Sequence, residues 1–312
     1  MSNLNIAVLI PCFNEEKSIG HVVKAFQAAA PAANIYVYDN NSTDKTIAVA
    51  RSAGAIVRTE YKQGKGNVVR RMFADVEADV YVLVDGDNTY EANAALRLID
   101  KMLTESLDMV NGCRITEIQE AYRPGHRLGN WMLTSLVAFI FGKHTQDMLS
   151  GYKVLSRRFV KSFPALSRGF EIETELTIHA LELRMPIADV KTVYVDRLPG
   201  SISKLSTIRD GQKILRMIIF LTKEERPFQF FGMIAILLAL ISLALGYPII
   251  IEFVQTGLVP RFPTAILASA IMVIAVLSFM MGLILDSVTR VRREMKRIAY
   301  LAYSAVGLKK SE

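Results

Sequence analysis

The chain has 312 residues, with 37 lysines and arginines against 30 aspartates and glutamates and a formal net charge of +7. That length holds one catalytic domain and an appendage, at ~100–200 residues per domain. Basic residues do not interleave with aromatics in the first half, so a nucleic-acid surface is not the reading of the charge. They crowd instead near the end, as Arg290, Arg292, Arg293, Lys296 and Arg297, where they suit lipid headgroups beside a membrane span. A mean hydropathy of +0.28 is high for a soluble enzyme, and the apolar excess lies after Phe228. Cys12 and Cys113 lack metal-ligand spacing and read as buried free thiols in a reducing compartment.

Residues 6–10 form an apolar run closed by Pro11, the pattern of a strand buried on both faces. The run is too short for a signal peptide or a span, so the domain it opens is expected in the cytoplasm. A helix is expected over 17–30 and a second strand over 35–38, ending in the polar turn Asp39-Asn40-Asn41-Ser42. A helix towards Ala53, a short strand at 55–57 and a helix opened by Gly64-Lys65-Gly66 follow. Residues 80–84 are the most strand-like segment and stop at Asp85-Gly86-Asp87. Alternating strands and helices at this spacing predict parallel crossovers and a doubly wound, mostly parallel α/β sheet. Ligands of such sheets bind beyond the carboxyl ends of the strands. Three polar clusters, 11–15, 39–44 and 85–87, are therefore expected to meet in one crevice.

Beyond them, residues 109–112 and 187–195 read as strands, and 127–141 and 171–183 as helices. Residues 200–204 read as a polar loop and 205–228 as an amphipathic juxtamembrane helix. Residues 230–253 and 265–285 are each long and apolar enough to cross a bilayer, at ~20 residues per span. A short connector makes them a hairpin over 229–286. The catalytic domain, 1–204, and a basic tail, 287–312, then share one face, which the Lys/Arg bias makes cytoplasmic.

Asp85 and Asp87 follow a central strand and are separated by a residue without a side chain. Such a pair suits a divalent cation of the Mg²⁺ or Mn²⁺ type that also bridges to phosphate oxygens. Asp39 can accept a hydrogen bond from a ribose or base edge. The alternative for Asp39 is an Asx turn, a duty that Asp44 or Ser42 fits better.

In order and spacing, Pro11-Cys12-Phe13-Asn14-Glu15, Asp39 to Asp44, Gly64-Lys65-Gly66 and Asp85-Gly86-Asp87 resemble the family 2 glycosyltransferases of GT-A fold. The later segment Asp147-Met148-Leu149-Ser150-Gly151-Tyr152-Lys153 and the two spans resemble the polyprenyl-phosphate branch, which includes dolichyl-phosphate mannose synthases and bactoprenol glucosyltransferases. The resemblance implies that Pro11, Asn14, Glu15, Asp39 and Lys65 hold the nucleotide-sugar, with Asp85, Gly86 and Asp87. Asp85 and Asp87 take the metal. Arg114, Arg127, Arg197, Ser203 and Lys204 hold acceptor or donor phosphates, as Arg forks suit phosphate oxygens. Asp87, Asp147 and Arg197 are the implied catalytic residues, Asp147 standing open between base, acceptor positioning and structural turn. Glu171 and Glu173 are rivals for the base.

At one position the chain departs from the branch. Several dolichyl-phosphate mannose synthases carry a glutamine ligand where this chain has Thr89. The implied reaction is inverting transfer of a sugar from a nucleotide-sugar, a UDP-sugar by resemblance, to undecaprenyl or another polyprenyl phosphate at a bacterial inner membrane. A homo-oligomer is expected, because two isolated spans expose much apolar surface. A processive polysaccharide synthase would want more spans. A membrane-anchored scaffold with a transferase fold would not need Asp85 and Asp87.

Overall fold

A computed structural model of the chain describes residues 4–115, 135, 147–165, 169, 171–195, 219–220 and 222–306. The chain divides into two compact units, Met1–Gln212 with Met295–Glu312, and Lys213–Glu294.

The first unit begins β1 (Ile6–Cys12), α1 (Ile19–Ala29), β2 (Asn34–Asp39), α2 (Thr46–Ser52), β3 (Ile56–Thr59), α3 (Lys65–Asp75) and β4 (Val80–Leu83). It continues with α4 (Ala94–Thr104), β5 (Met109–Ile115), β6 (Lys153–Ser156), α5 (Arg157–Ser162), α6 (Ile172–Glu182) and β7 (Ile187–Val193). The seven strands form one sheet in the order β3-β2-β1-β4-β6-β5-β7. All neighbours are parallel except β6, which runs antiparallel to both β4 and β5.

The apolar runs of β1 and β4 divide by the two-residue period of a strand. Val8, Ile10, Val80 and Val82 face a layer containing Val23 and Phe26 of α1 and Leu98 and Met102 of α4. Ala7, Leu9, Tyr81 and Leu83 face the opposite layer, with Val69 and Met72 of α3 and Leu176 of α6. Helices on both faces explain why these strands read as continuous apolar runs rather than alternating ones. The structure thus has the doubly wound, mostly parallel α/β sheet expected from the sequence.

Three elements escape the sequence reading. Helix α4 carries Ala95, Leu98, Ile99 and Met102 inward at helical spacing, a signal that was present. Strand β6 opens with Lys153, a residue that argues against a buried strand, yet it is fully buried. The short helix α5 starts at once after β6, capped by Ser156, whose hydroxyl accepts from the Phe159 amide. Apart from residue 135, the helix expected over 127–141 lies outside the described residues, as do 205–218 and 221 of the expected juxtamembrane helix.

The apolar helices are α7 (Pro227–Thr256) and α8 (Phe262–Leu301), and both could cross a membrane by length and composition. Only 17% of the most apolar stretch of each is buried, which is not the burial of a soluble core hairpin. Small side chains set their contact. The Ser242 hydroxyl donates to the Ala268 carbonyl at 2.7 Å, and a Cβ on Gly282 would come within 3.2 Å of the Phe231 Cβ. At the other end, Thr289 Oγ1 donates to the Glu224 carbonyl and Arg292 pairs with the Glu224 carboxylate at 2.7 Å. The chain therefore enters and leaves the hairpin on the same side.

Helix α8 does not stop at 285 but continues through Leu301, so the segment expected as a tail from 287 is helical over most of its described length. Arg292 and Arg293 pair with Glu224 and Glu225, and Lys296 with Glu182 at 2.6 Å. These three cations are therefore engaged by carboxylates of the chain. Arg290 and Arg297 remain exposed. In the first unit, the Tyr300 hydroxyl donates to Asp108 at 2.8 Å and the Arg158 guanidinium lies 4.7 Å over its ring.

His179 of α6 is buried between the rings of Phe159 and Phe163, with Ser162 Oγ 3.0 Å from Nε2. Burial, with a smaller contribution from Lys296, pushes its pKa down to about 3. The folded imidazole stays neutral while the unfolded one charges below about 6.5, so its stabilisation is complete above that pH and is lost as pH falls towards 3. At pH 5 the loss is about 2 kcal/mol. Thermal unfolding of detergent-solubilised His179→Leu is expected to show a smaller drop in Tm between pH 7 and pH 5 than wild type.

Candidate active site

The loops that follow β1, β2 and β4 are tied together mainly by side chains. After β1, the Asn14 amide donates to Ser42 Oγ at 2.8 Å, and its Oδ1 accepts from the Thr43 amide at 2.8 Å. The Glu15 amide donates to Thr46 Oγ1 at 2.8 Å. Ser18 Oγ donates to the Gly86 carbonyl at 2.7 Å, joining the first loop to the third. Each loop turns on an asparagine in the left-handed region: Asn14 (φ 52°), Asn41 (φ 64°) and Asn88 (φ 60°). Asparagine enters that region more readily than most residues, which lets each strand turn sharply at the sheet edge. Gly86 has a different reason, since a Cβ there would stand 2.6 Å from Cys12 Sγ. Pro11 lies within β1, paired with Tyr38.

Asp39 is 1% exposed. Its Oδ2 accepts from the Ser42 amide at 3.0 Å, while its buried Oδ1 has no hydrogen-bond partner. One oxygen makes the local turn and the other is buried unsatisfied. Leaving a buried acceptor unpaired costs ~1–3 kcal/mol, a cost that a ligand N–H or O–H would remove. Asp44 makes the turn that leads into α2, its Oδ1 accepting from the Thr46 amide and hydroxyl.

Lys65, the first residue of α3, donates from Nζ to both Asp85 and Glu173. Burial opposes its charge, but the two carboxylates outweigh it and raise its pKa, so Lys65 stays an ammonium. Asp87 is 6% exposed, and its Oδ1 accepts from Thr89 Oγ1 at 2.6 Å and from the Thr89 amide at 3.3 Å. Thr89 thus aims Asp87 rather than standing apart from it. Gly151, in the segment before β6, lies so near Asp85 that any Cβ would collide with that carboxylate. Its amide donates to the Tyr90 hydroxyl at 2.9 Å.

Arg114 at the end of β5 meets Asp147 in a two-pronged pair, Nε to Oδ2 at 2.7 Å and Nη2 to Oδ1 at 2.8 Å. Tyr194 lies 5.5 Å from the guanidinium. Burial would raise the Asp147 pKa, but the Arg114 bonds and charge hold it below the ordinary carboxylate range. Both of its oxygens are engaged by Arg114. Lys153 is fully buried, donates to Asn111 Oδ1 at 2.7 Å, and has its pKa pushed down to about 8 by burial.

The structure brings Pro11, Asn14, Glu15, Asp39, Lys65, Asp85, Gly86 and Asp87 to one edge of the sheet, with Arg114 and Asp147 paired at the end of β5. Arg127, Arg197, Ser203 and Lys204 lie outside the described residues. Sequence reasoning weighed Glu173 only as a base and gave Lys153 and Gly151 no role of their own. No spacing signal marks them, because the antiparallel β6 and the start of α6 deliver them from far along the chain.

A doubly wound sheet whose strands end in acidic turns defines an α/β class that binds its ligands beyond the carboxyl ends of the strands. The model of glycosyl transferase family 2 matches residues 7–163, and the chain belongs to that family. It is 32% identical over 303 residues to glycosyltransferase AglJ of Haloferax volcanii, covering 95% of this chain and 98% of that protein. It is 27% identical over 222 residues to a dolichyl-phosphate hexose transferase of the same organism, covering 71% and 96%. Glucosyl-3-phosphoglycerate synthase from Mycobacterium tuberculosis, solved with Mn²⁺, UDP and glucosyl-3-phosphoglycerate, superposes with a TM-score of 0.59 at 22% identity, over 71% of this chain and 80% of that one. At that identity the likeness shows the fold. The chain is a glycosyltransferase of GT-A fold.

Removing the Thr89 hydroxyl leaves Asp87 in place but unaimed. Thr89→Val is expected to lower glycosyl transfer by about 10–100-fold, the range for residues that orient a ligating group, with Tm little changed. Steady-state rates beside a melting curve check this.

Proposed function

We propose that this chain transfers a hexose from a nucleotide-sugar, a UDP-sugar by resemblance, to undecaprenyl phosphate or a related polyprenyl phosphate, with inversion at the anomeric carbon. The observation that carries the reading is the acidic turn Asp85-Gly86-Asp87 beside Lys65 and the half-satisfied Asp39, in a chain that also bears two helices able to cross a membrane. The relative named a dolichyl-phosphate hexose transferase supports the lipid acceptor, and the neighbour solved with UDP and Mn²⁺ supports the donor and the cation.

The free oxygen of Asp39 would accept from the base or ribose, with Pro11, Asn14 and Glu15 shaping that end of the crevice. Asp85 and Asp87 would hold Mg²⁺ or Mn²⁺. Among the described residues no cluster of three or more ligands forms, so phosphate and water oxygens would complete the shell, as such cations prefer. When bound, the cation supplies charge neutralisation to the departing nucleoside diphosphate. Lys65 adds a fixed positive charge at the same end.

Arg114, oriented by Asp147, would hold the acceptor phosphate, with Arg127, Arg197, Ser203 and Lys204 as further phosphate contacts. A lipid phosphate is already ionised at neutral pH, so its oxygen attacks without a strong base. Stabilisation of the leaving group then carries most of the rate. The two helices would place the enzyme in a bacterial inner membrane, where its acceptor is confined, with the catalytic unit on the cytoplasmic side by the Lys/Arg rule. Their exposed apolar faces suit a homo-oligomer.

The test is to offer purified protein a panel of nucleotide-sugars with undecaprenyl phosphate and Mg²⁺ or Mn²⁺, and to identify the glycolipid by mass. One lipid-linked monosaccharide is expected. A polymer, or no product with any donor, overturns the reading. Asp87→Asn is expected to lose at least ~10²-fold in transfer, the scale of one lost electrostatic contact to a leaving group, while still inserting in membranes.

A further inference from the structure

Glu173 stands in the first turn of α6, on the opposite side of the sequence from the acidic motifs, yet it reaches the same crevice. Its side chain is 7% exposed and that of Lys65 is 8% exposed, against 29% for Asp85. The Lys65 ammonium bridges the two carboxylates. An ammonium has three N–H donors and no acceptor, so each carboxylate it serves fixes one of them. Asp85 is the more open partner and a proposed cation ligand. Glu173 is enclosed. If a divalent cation takes Asp85, the N–H that Lys65 gives to Asp85 is released next to the bound diphosphate. The bond to Glu173 remains, and it decides whether Lys65 stays in place to use that donor or swings away. Losing Lys65 would also leave the buried Glu173 carboxyl without its partner, so the pair resists separation.

We propose that Glu173 is a positioning residue of the donor site: it anchors Lys65 while a divalent cation takes Asp85, so that the N–H now given to Asp85 passes to a phosphate oxygen of the nucleoside diphosphate. The proposal rests on the reading of Asp85 and Asp87 as cation ligands. It assigns Glu173 no contact with sugar or acceptor and no proton transfer. In the cation-free state Lys65 competes with the cation for Asp85, and Glu173 moderates that competition by sharing the ammonium.

Binding measurements on the full detergent-solubilised chain test this without turnover. Mn²⁺ affinity is read by the free-Mn²⁺ electron paramagnetic resonance signal, and UDP affinity by calorimetry with Mn²⁺ present, GDP being run in parallel. In Glu173→Gln, Lys65 turns wholly to Asp85. Mn²⁺ binding without nucleotide is expected to weaken, and nucleotide affinity to fall about 10–100-fold, as for other residues that orient a binding group. Glu173→Asp should recover part of both. Lys65→Met alone strands a buried carboxylate, so the double variant Lys65→Met/Glu173→Gln is the one to use. It removes both charges and is expected to bind Mn²⁺ without nucleotide at least as tightly as wild type, while binding UDP or GDP poorly.

If Glu173 is only structural, Glu173→Gln lowers Tm and leaves both affinities of the folded protein unchanged, which overturns the proposal. Weaker Mn²⁺ binding by the double variant overturns it too. Unchanged Mn²⁺ binding by Asp87→Asn, or none by wild type, overturns the cation reading itself and separates that failure from the failure of Glu173.

Discussion

A crevice that gathers carboxylates out of water must compensate them before any substrate arrives. Here Asp39, Asp87, Asp147 and Glu173 are each no more than 6% exposed, and Asp85 lies among them. An isolated buried carboxylate would neutralise itself rather than stay charged. The structure answers each differently. Asp147 is forked by Arg114, Asp85 and Glu173 share Lys65, Asp87 takes two hydrogen bonds from Thr89, and Asp39 takes one from a backbone amide. Arg114 and Lys65 are held by carboxylates, and Asp147, Asp85 and Glu173 by them. This mutual holding is what can fix a donor site in advance, so that electrostatic stabilisation needs no rearrangement when the leaving group departs.

The same balance sets where tolerance ends. Gly86 and Gly151 are not turn residues of convenience: Cys12 occupies the space beside one and Asp85 the space beside the other. The crevice is therefore built by close approach as much as by charge. Ser18 adds a mechanical tie, since its hydroxyl joins the loop after β1 to the Asp85 turn through the Gly86 carbonyl. A change at Ser18 would move the acidic turn without touching an acid.

How much of this the sequence carried follows from geometry. Parallel strands all end at one edge, so polar turns after buried runs identify a shared crevice even when they are dozens of residues apart. Asp39, Asp85 and Asp87 were legible for that reason, whereas Lys65 was marked only by the family resemblance. Asp147 kept three roles open, and only its fork with Arg114 favours positioning. Glu173 and Lys153 were not legible as partners, because they reach the site through α6 and through the antiparallel β6. Lys153 in particular disguised a buried strand as a polar segment, since its charge is accommodated by Asn111 and by surrounding carboxylates that periodicity does not reveal. Thr89 was visible as a departure from relatives, but its bond to Asp87 was not.

The basic end of the chain shows why counting charges differs from placing them. Five cations beside a span would add about 5 kcal/mol of attraction to anionic lipid, at ~1 kcal/mol each. Three of them, Arg292, Arg293 and Lys296, pair with Glu224, Glu225 and Glu182, which leaves about 2 kcal/mol from Arg290 and Arg297. Arg290 also lies 3.5 Å from Asp286, an exposed pair of little energetic weight. Surface attraction of that size is reversible, whereas insertion of an apolar helix is not. Under the proposed reading, residence in a membrane would therefore rest on α7 and α8. The arginines act chiefly to close the open end of the hairpin, where Glu224 and Glu225 receive them.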